Sequence, residues 1–233
     1  MATRTRRPER RDNPLSRERI VEAAIGLLDA AGEGGLTFRA LAEHLATGPG
    51  AIYWHVANKG ELLAAATDAV IADALAADAS ADAATPRQAL DAVAVGLYEA
   101  IDEHPWLAAQ LASQFARSPG GSVAPRIFES IGSKLDALGA PREAQFVATS
   151  VLMHYILGAA GQNAENGLSA RSLPPGTDRI GFLDSASSAW KNLDPGEYPF
   201  ATAIADELRD HDDRAQFLDG IALIVAGITG IDG

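Results

Sequence analysis

Apolar positions recur every three to four residues over most of the chain, the period of an amphipathic helix, and nowhere alternate long enough to mark a strand. Ser16 is placed to cap a first helix whose inner face is Ile20, Ala24, Leu27, Leu28 and Ala31, with Gly32 at its end. The Gly-rich stretch Gly32 to Gly35 leads to a second cap, Thr37, flanked by Leu36 and Leu41 at the two positions of a hydrophobic staple. The second helix turns Leu41, Ala42 and Leu45 inward. Beyond Ala46 and Thr47, Gly48 can cap and Pro49 fits the first turn of a short third helix ending near Val56. Asn58 and Glu61 then stand at capping-box spacing before a fourth helix with Leu62, Leu63, Ala66, Ala69 and Val70 on its buried side.

Downstream, the Ala-rich stretch Ala76 to Ala84 reads equally as helix end, loop or hinge. Thr85-Pro86 opens a helix with Leu90, Val93, Ala94, Leu97 and Ile101 on one face, stopped by His104-Pro105. Further helices are expected over Trp106–Ala116, around Ile127, Ile131, Leu135 and Leu138, and from Pro141 to about Asn166. Gly167 to Gly181 reads as a surface loop. Helical pieces near Phe182–Leu193, Phe200–Arg209 and Arg214–Gly230 close the chain. The expected fold class is all-α. Residues 1–15 form an arm, 16–63 a three-helix unit, and the fourth helix leads into a C-terminal bundle within 64–233.

Composition narrows the chemistry. The 233 residues contain no cysteine, so there is no disulfide, no thiolate metal site and no Cys nucleophile. The longest apolar run, Ile221 to Ile231, is far shorter than the ~20 residues a membrane-spanning helix needs, and no signal-peptide core opens the sequence; the expected location is the cytoplasm. Charge is unevenly placed: residues 1–59 carry nine Lys/Arg against seven Asp/Glu, and the remainder ten against 24. Seven arginines fall in the first 20 residues. Only this end would be drawn to a polyanion, although an Arg-rich terminus alone is equally a solvated tail.

The third helix decides between those readings. Two short helices meeting across a tight turn make a helix-turn-helix, whose second helix enters the major groove of DNA. Tyr53, Trp54 and His55 stand together on a segment too short to bury three large amphipathic side chains, although one of Tyr53 and Trp54 is expected to pack as core. Tyr and His can hydrogen-bond phosphates or base edges, and Lys59 follows at a helix start where phosphate is favoured. Catalysis finds no comparable support: there is no G-x-S-x-G, H-E-x-x-H or phosphate loop, and the five histidines are scattered. Gly48-Pro49-Gly50 follows a helix, not a strand, and is no dinucleotide fingerprint. No enzyme activity, cofactor or metal is expected. A helical small-molecule carrier or enzyme without DNA binding is the alternative, and it leaves the basic arm and Tyr53-Trp54-His55 without a role.

The segments LTFRALAEHL and GPGAIYWHVANKGELL resemble the N-terminal domain of the tetracycline repressor (TetR) family over Ser16 to Leu63. The resemblance implies a homodimeric repressor of a pseudo-palindromic operator, released by a small-molecule effector. It places Arg39, Gly50, Ala51, Tyr53, Trp54, His55 and Lys59 where the family touches DNA. Tyr53, His55 and Lys59 would mainly hold the backbone, while Arg39, Thr47 and Ala51 are candidates for base edges. The small residues Pro49, Gly50 and Ala51 depart from much of the family; Ala51 can at most meet a thymine methyl, so preference would lean on Arg39, DNA shape and the arm. Later, HPWLA (His104–Ala108), YILG (Tyr155–Gly158) and FLDGIALIVAGI (Phe217–Ile228) resemble the family's C-terminal domain. That likeness implies a ligand cavity and a four-helix dimer interface, with 141–166 and 214–230 as the interface helices. Candidate lining residues are Trp106, Phe115 and Phe128, then Met153, His154 and Tyr155, and finally Gln162, Asn163 and Trp190. The positions that hold drug and magnesium in tetracycline-binding members have no counterpart here, so tetracycline is not implied.

Overall fold

A computed structural model describes residues 14–80, 85–118, 120–171, 179–209 and 211–230, and among them there are helices and no strand. The described residues fall into two compact units, one ending at Ala66 and the other beginning at Thr67. Residues 1–13 of the arm and 81–84 of the Ala-rich stretch lie outside the described residues.

The first unit contains α1 (Arg17–Gly35), α2 (Phe38–His44), α3 (Pro49–Tyr53) and the start of α4 (Lys59–Ser80). Polar caps set the starts: Ser16 accepts from Arg19 N–H at 3.3 Å and Thr37 from Ala40 N–H at 3.1 Å. Asn58 Oδ1 accepts from Glu61 N–H at 2.9 Å. The reciprocal bond differs from the expected box, because the Glu61 carboxylate reaches past Asn58 to Ala57 N–H at 2.8 Å. It also meets Arg17 at 3.0 Å, pinning α4 to α1. Gly32 does not end α1; with φ 62 and ψ −169 it kinks the helix, which resumes to Gly35. The core is Ile20, Ala24, Leu28, Leu36, Leu41, Ile52, Val56 and Leu62, all at or below 1% exposure, including both staple leucines.

In the second unit α4 continues and is followed by α5 (Pro86–Glu103), α6 (Trp106–Arg117), α7 (Val123–Ala137), α8 (Gln145–Arg171), α9 (Arg179–Lys191), α10 (Pro199–Ala203), a 3-10 turn (Ala205–Leu208) and α11 (Asp213–Thr229). Thr85 caps α5 as expected, and the whole predicted stripe of that helix is buried. Helix α8 is central, packed by α5, α6, α7 and α11, whereas α9, α10 and the 3-10 turn pack on one another. Three expectations are corrected. Pro141 opens only a turn, closed by Ala144 N–H to Pro141 C=O at 2.9 Å, and α8 begins at Gln145. Its helix then overruns the expected loop as far as Arg171, and α9 has already begun at Arg179; residues 172–178 lie outside the described residues. The expected helix Phe200–Arg209 is α10 followed by the 3-10 turn. No helix among the described residues is long and apolar enough to cross a membrane.

Candidate nucleic-acid interface

The corner between α2 and α3 is closed by backbone geometry. Thr47 N–H donates to Ala42 C=O at 3.0 Å and Ala46 N–H to Glu43 C=O at 3.2 Å, the paired bonds of a Schellman motif. Its left-handed residue is Ala46, at φ 50; the glycine of the turn, Gly48, has an ordinary φ of −86. Pro49 occupies the first turn of α3, and one fully buried side chain, Ile52, anchors that helix to the core. Everything else on α3 is left to solvent or to the half-buried margin.

That exposure corrects the expectation that Tyr53 or Trp54 packs as core: Tyr53 is 54% exposed and Trp54 is 90% exposed. Tyr53 instead lies flat on Phe38 of α2, ring centroids 4.4 Å apart and planes within 2°. The exposed Tyr53 hydroxyl and Trp54 indole N–H, and the imidazole of half-buried His55, have no hydrogen-bond partner among the described residues, so Tyr53 and Trp54 present polar groups to an external partner. Arg39 is also exposed, its Nε 3.0 Å from Glu43 Oε1 one helical turn on, a surface pair that screening keeps weak. At Gly50 a side chain would meet nothing within 4 Å, so packing does not demand a glycine there. Ala51 and Thr47 are half-buried. Lys59 points back into the unit: its ammonium donates to Glu33 C=O at 2.6 Å and lies 3.8 Å from the Glu33 carboxylate. Sequence reasoning missed both the Lys59 tether and Phe38; the signal for Phe38 was an aromatic at the first helical position, one turn away from the buried pair Leu41 and Ala42.

The second unit carries an open cleft of about 650 Å³ between α8 and α11. Of the nine candidate lining residues, His154, Tyr155, Gln162 and Asn163 line it. Trp106 and Met153 are buried in the bundle, Phe128 packs against Phe146 with ring centroids 5.6 Å apart, Phe115 is half-buried on α6, and Trp190 is exposed on α9. The opposite wall comes from His211, Asp213, Gln216 and Gly220, which sequence reasoning did not select. The Tyr155 hydroxyl donates to Gln216 and Phe217 C=O at 3.3 and 3.2 Å, crossing α11 where Gly220 has no side chain; a Cβ there would lie 1.9 Å from that oxygen. Asn163 Nδ2 donates to Asp102 at 2.9 Å. Asn166, His211 and Asp213 are shared with a second cavity of about 320 Å³ towards Arg179 and Phe182. Asp213 is paired with Arg179 and lies 3.0 Å from His211 Nε2. Burial, with Asp213, Asp102 and Asp212 nearby, pushes the Tyr98 hydroxyl up to about 12.

Residues 20–66 match the bacterial regulatory proteins of the tetR family, and residues 81–231 match the tetracyclin repressor-like C-terminal domain. The chain is a member of the TetR family. As such it is a helix-turn-helix, DNA-binding transcriptional regulator. The TetR-family chain is 30% identical to an HTH-type transcriptional regulator of Saccharopolyspora erythraea over 97% of its own length and 91% of that protein. Among solved structures it is similar to the transcriptional regulator SCO7222, a TetR from Streptomyces coelicolor, at 59% identity and TM-score 0.84, covering 94% of this chain and 99% of that one. The TetR-family protein ActR of the same organism, solved in complex with (S)-DNPA, is 25% identical with TM-score 0.70, over 92% of this chain and 97% of its own.

Proposed function

We propose that this regulator is a cytoplasmic homodimeric repressor that holds a pseudo-palindromic operator with two copies of the α2–α3 corner and releases it when a small-molecule effector binds the second unit. The observation that carries the reading is the exposed pair Tyr53 and Trp54 with half-buried His55 beside them, at the end of a helix anchored by Ile52, their side-chain polar groups without a hydrogen bond among the described residues. Tyr53, His55 and, once released from Glu33, Lys59 hold the DNA backbone, Arg39, Thr47 and Ala51 face base edges, and Gly50 and Trp54 complete the contact surface. Two heads related by a two-fold axis meet half-sites about one helical turn apart, ~34–36 Å, or a small multiple of it. Exposed Val147 and Val151 on α8 support that helix as part of the self-complementary face of the dimer, with α11 as its expected companion. For the effector, the polar groups of the α8–α11 cleft, His154, Gln162 and Asn163, supply orientation against the apolar wall of Tyr155 and Phe217. The likeness to ActR supports a small organic effector without specifying which. An effector lowers operator affinity only through its preference for one conformation, and a coupling of ~1–3 kcal/mol corresponds to a ~5–150-fold loss.

The test uses a duplex enriched by the wild-type chain from a random-sequence pool. Tyr53→Ala and Lys59→Ala are expected to weaken binding to it, with thermal melts confirming that each variant is folded, and wild-type affinity is expected to fall steeply with salt as phosphate counterions are released. Enrichment of no sequence, or unchanged binding in both variants, refutes the assignment of α3.

A further inference from the structure

We propose that Phe38 is a positioning residue for DNA binding, acting through Tyr53, whose ring it holds in one orientation on the protein surface. The inference rests on the reading of α3 as the helix that meets the duplex.

Phe38 is the first residue of α2, and its backbone is set by the neighbouring Thr37 cap. A core role does not account for it: the buried residues of α2 are Leu41 and Ala42, that of α3 is Ile52, and Phe38 is only half-buried while Tyr53 is mostly exposed. What Phe38 does have is a parallel stack with Tyr53 at 4.4 Å. The stack covers one face of the tyrosine and leaves its hydroxyl, which bonds to nothing among the described residues, directed to an external partner. A tyrosine without that support would exchange between staggered χ1 wells, and binding would have to freeze the ring. With it, the loss of freedom has already been taken up in folding. Arg39 follows Phe38 directly, so a single turn of α2 both presents an exposed guanidinium and braces the phenol of the next helix.

Phe38→Ala is expected to weaken binding of the enriched duplex about 3- to 10-fold, the range that freezing one side chain on binding costs. The decisive measurement is a double-mutant cycle with Tyr53→Ala, by fluorescence anisotropy at fixed salt: the Phe38 effect vanishes once Tyr53 is absent. Phe38→Tyr, which keeps a flat ring, restores wild-type affinity. A Phe38→Ala penalty that persists in the Tyr53→Ala background, or no penalty at all, overturns the proposal. If Phe38→Ala melts early, Phe38→Leu keeps the bulk without the flat face, and the same cycle is read on that variant. Should Tyr53→Ala itself leave affinity unchanged, it is the reading of α3 that fails.

Discussion

Ala46→Gly tests the geometry of the corner most directly. Ala46 is the only described non-glycine residue with positive φ, and it holds the left-handed position of the Schellman motif that joins α2 to α3. An L-residue there crowds its Cβ against the following carbonyl, at roughly 1–2 kcal/mol. Glycine removes the clash but loses about 0.5–1 kcal/mol more backbone entropy on folding. Ala46 is exposed, so deleting its methyl sacrifices no packing. The difference is a net stabilisation of about 0.5–1 kcal/mol, or roughly 1–4 °C in Tm for a chain of this size. Differential scanning calorimetry reads the shift, and amide exchange at Thr47, whose N–H closes the motif on Ala42, reads its local origin. Asn, which tolerates the left-handed region, should fall between Gly and Ala, and Val should be worse than Ala. Operator affinity should stay within about twofold, because the backbone path is unchanged. An Ala46→Gly protein melting at or below wild type, or the reverse ranking, refutes the argument that strain resides at this residue.

Two further predictions concern the second unit. Gly220→Ala displaces Tyr155, forfeiting its hydroxyl bonds (about 0.5–1.5 kcal/mol) and its stack on Phe217 (similar), against ~1 kcal/mol gained in helix propensity. Thermal melts should therefore show about 1 kcal/mol of destabilisation, and the same change should become stabilising in a Tyr155→Ala background; the same sign in both would sink it. Tyr98 keeps its proton to about pH 12 when folded, against 10.0 for a free tyrosine, so the unfolded chain binds fewer protons over that interval and stability falls as pH rises through it. Its contribution approaches ~1.4 kcal/mol per pH unit, and Tyr98→Phe should flatten the alkaline limb of Tm against pH by that amount.

Much of the architecture could be read before any coordinates. Ser16, Thr37 and Thr85 cap the helices they precede, because a side-chain oxygen placed before an apolar period satisfies an otherwise orphaned N–H. The α5 stripe is buried residue for residue. Where reading failed, tertiary structure overrode local preference. Helix α1 survives Gly32 by kinking, and Ala46 takes a conformation its type disfavours because Leu41 and Ile52 must both reach the core. Helix α8 hid its own orientation: Leu152, Met153 and Ile156 are buried while Phe146, Val147 and Val151 are exposed, so apolar residues lie all round it. Lining residues chosen from one helix therefore scattered, with Met153 in the bundle and His154 in the cleft. The wall that completes the cleft begins about 50 residues later, at His211 and Asp213, and no periodicity links it to α8.

The brevity of α2 and α3, seven and five residues, has a consequence for how this regulator fails. Helices so short do not persist by themselves in water. Their order is lent by Ile20, Leu28 and Leu62 underneath. Damage to that hidden floor, on α1 or α4 and away from every phosphate, would silence the regulator as surely as removing a fingertip that touches the groove.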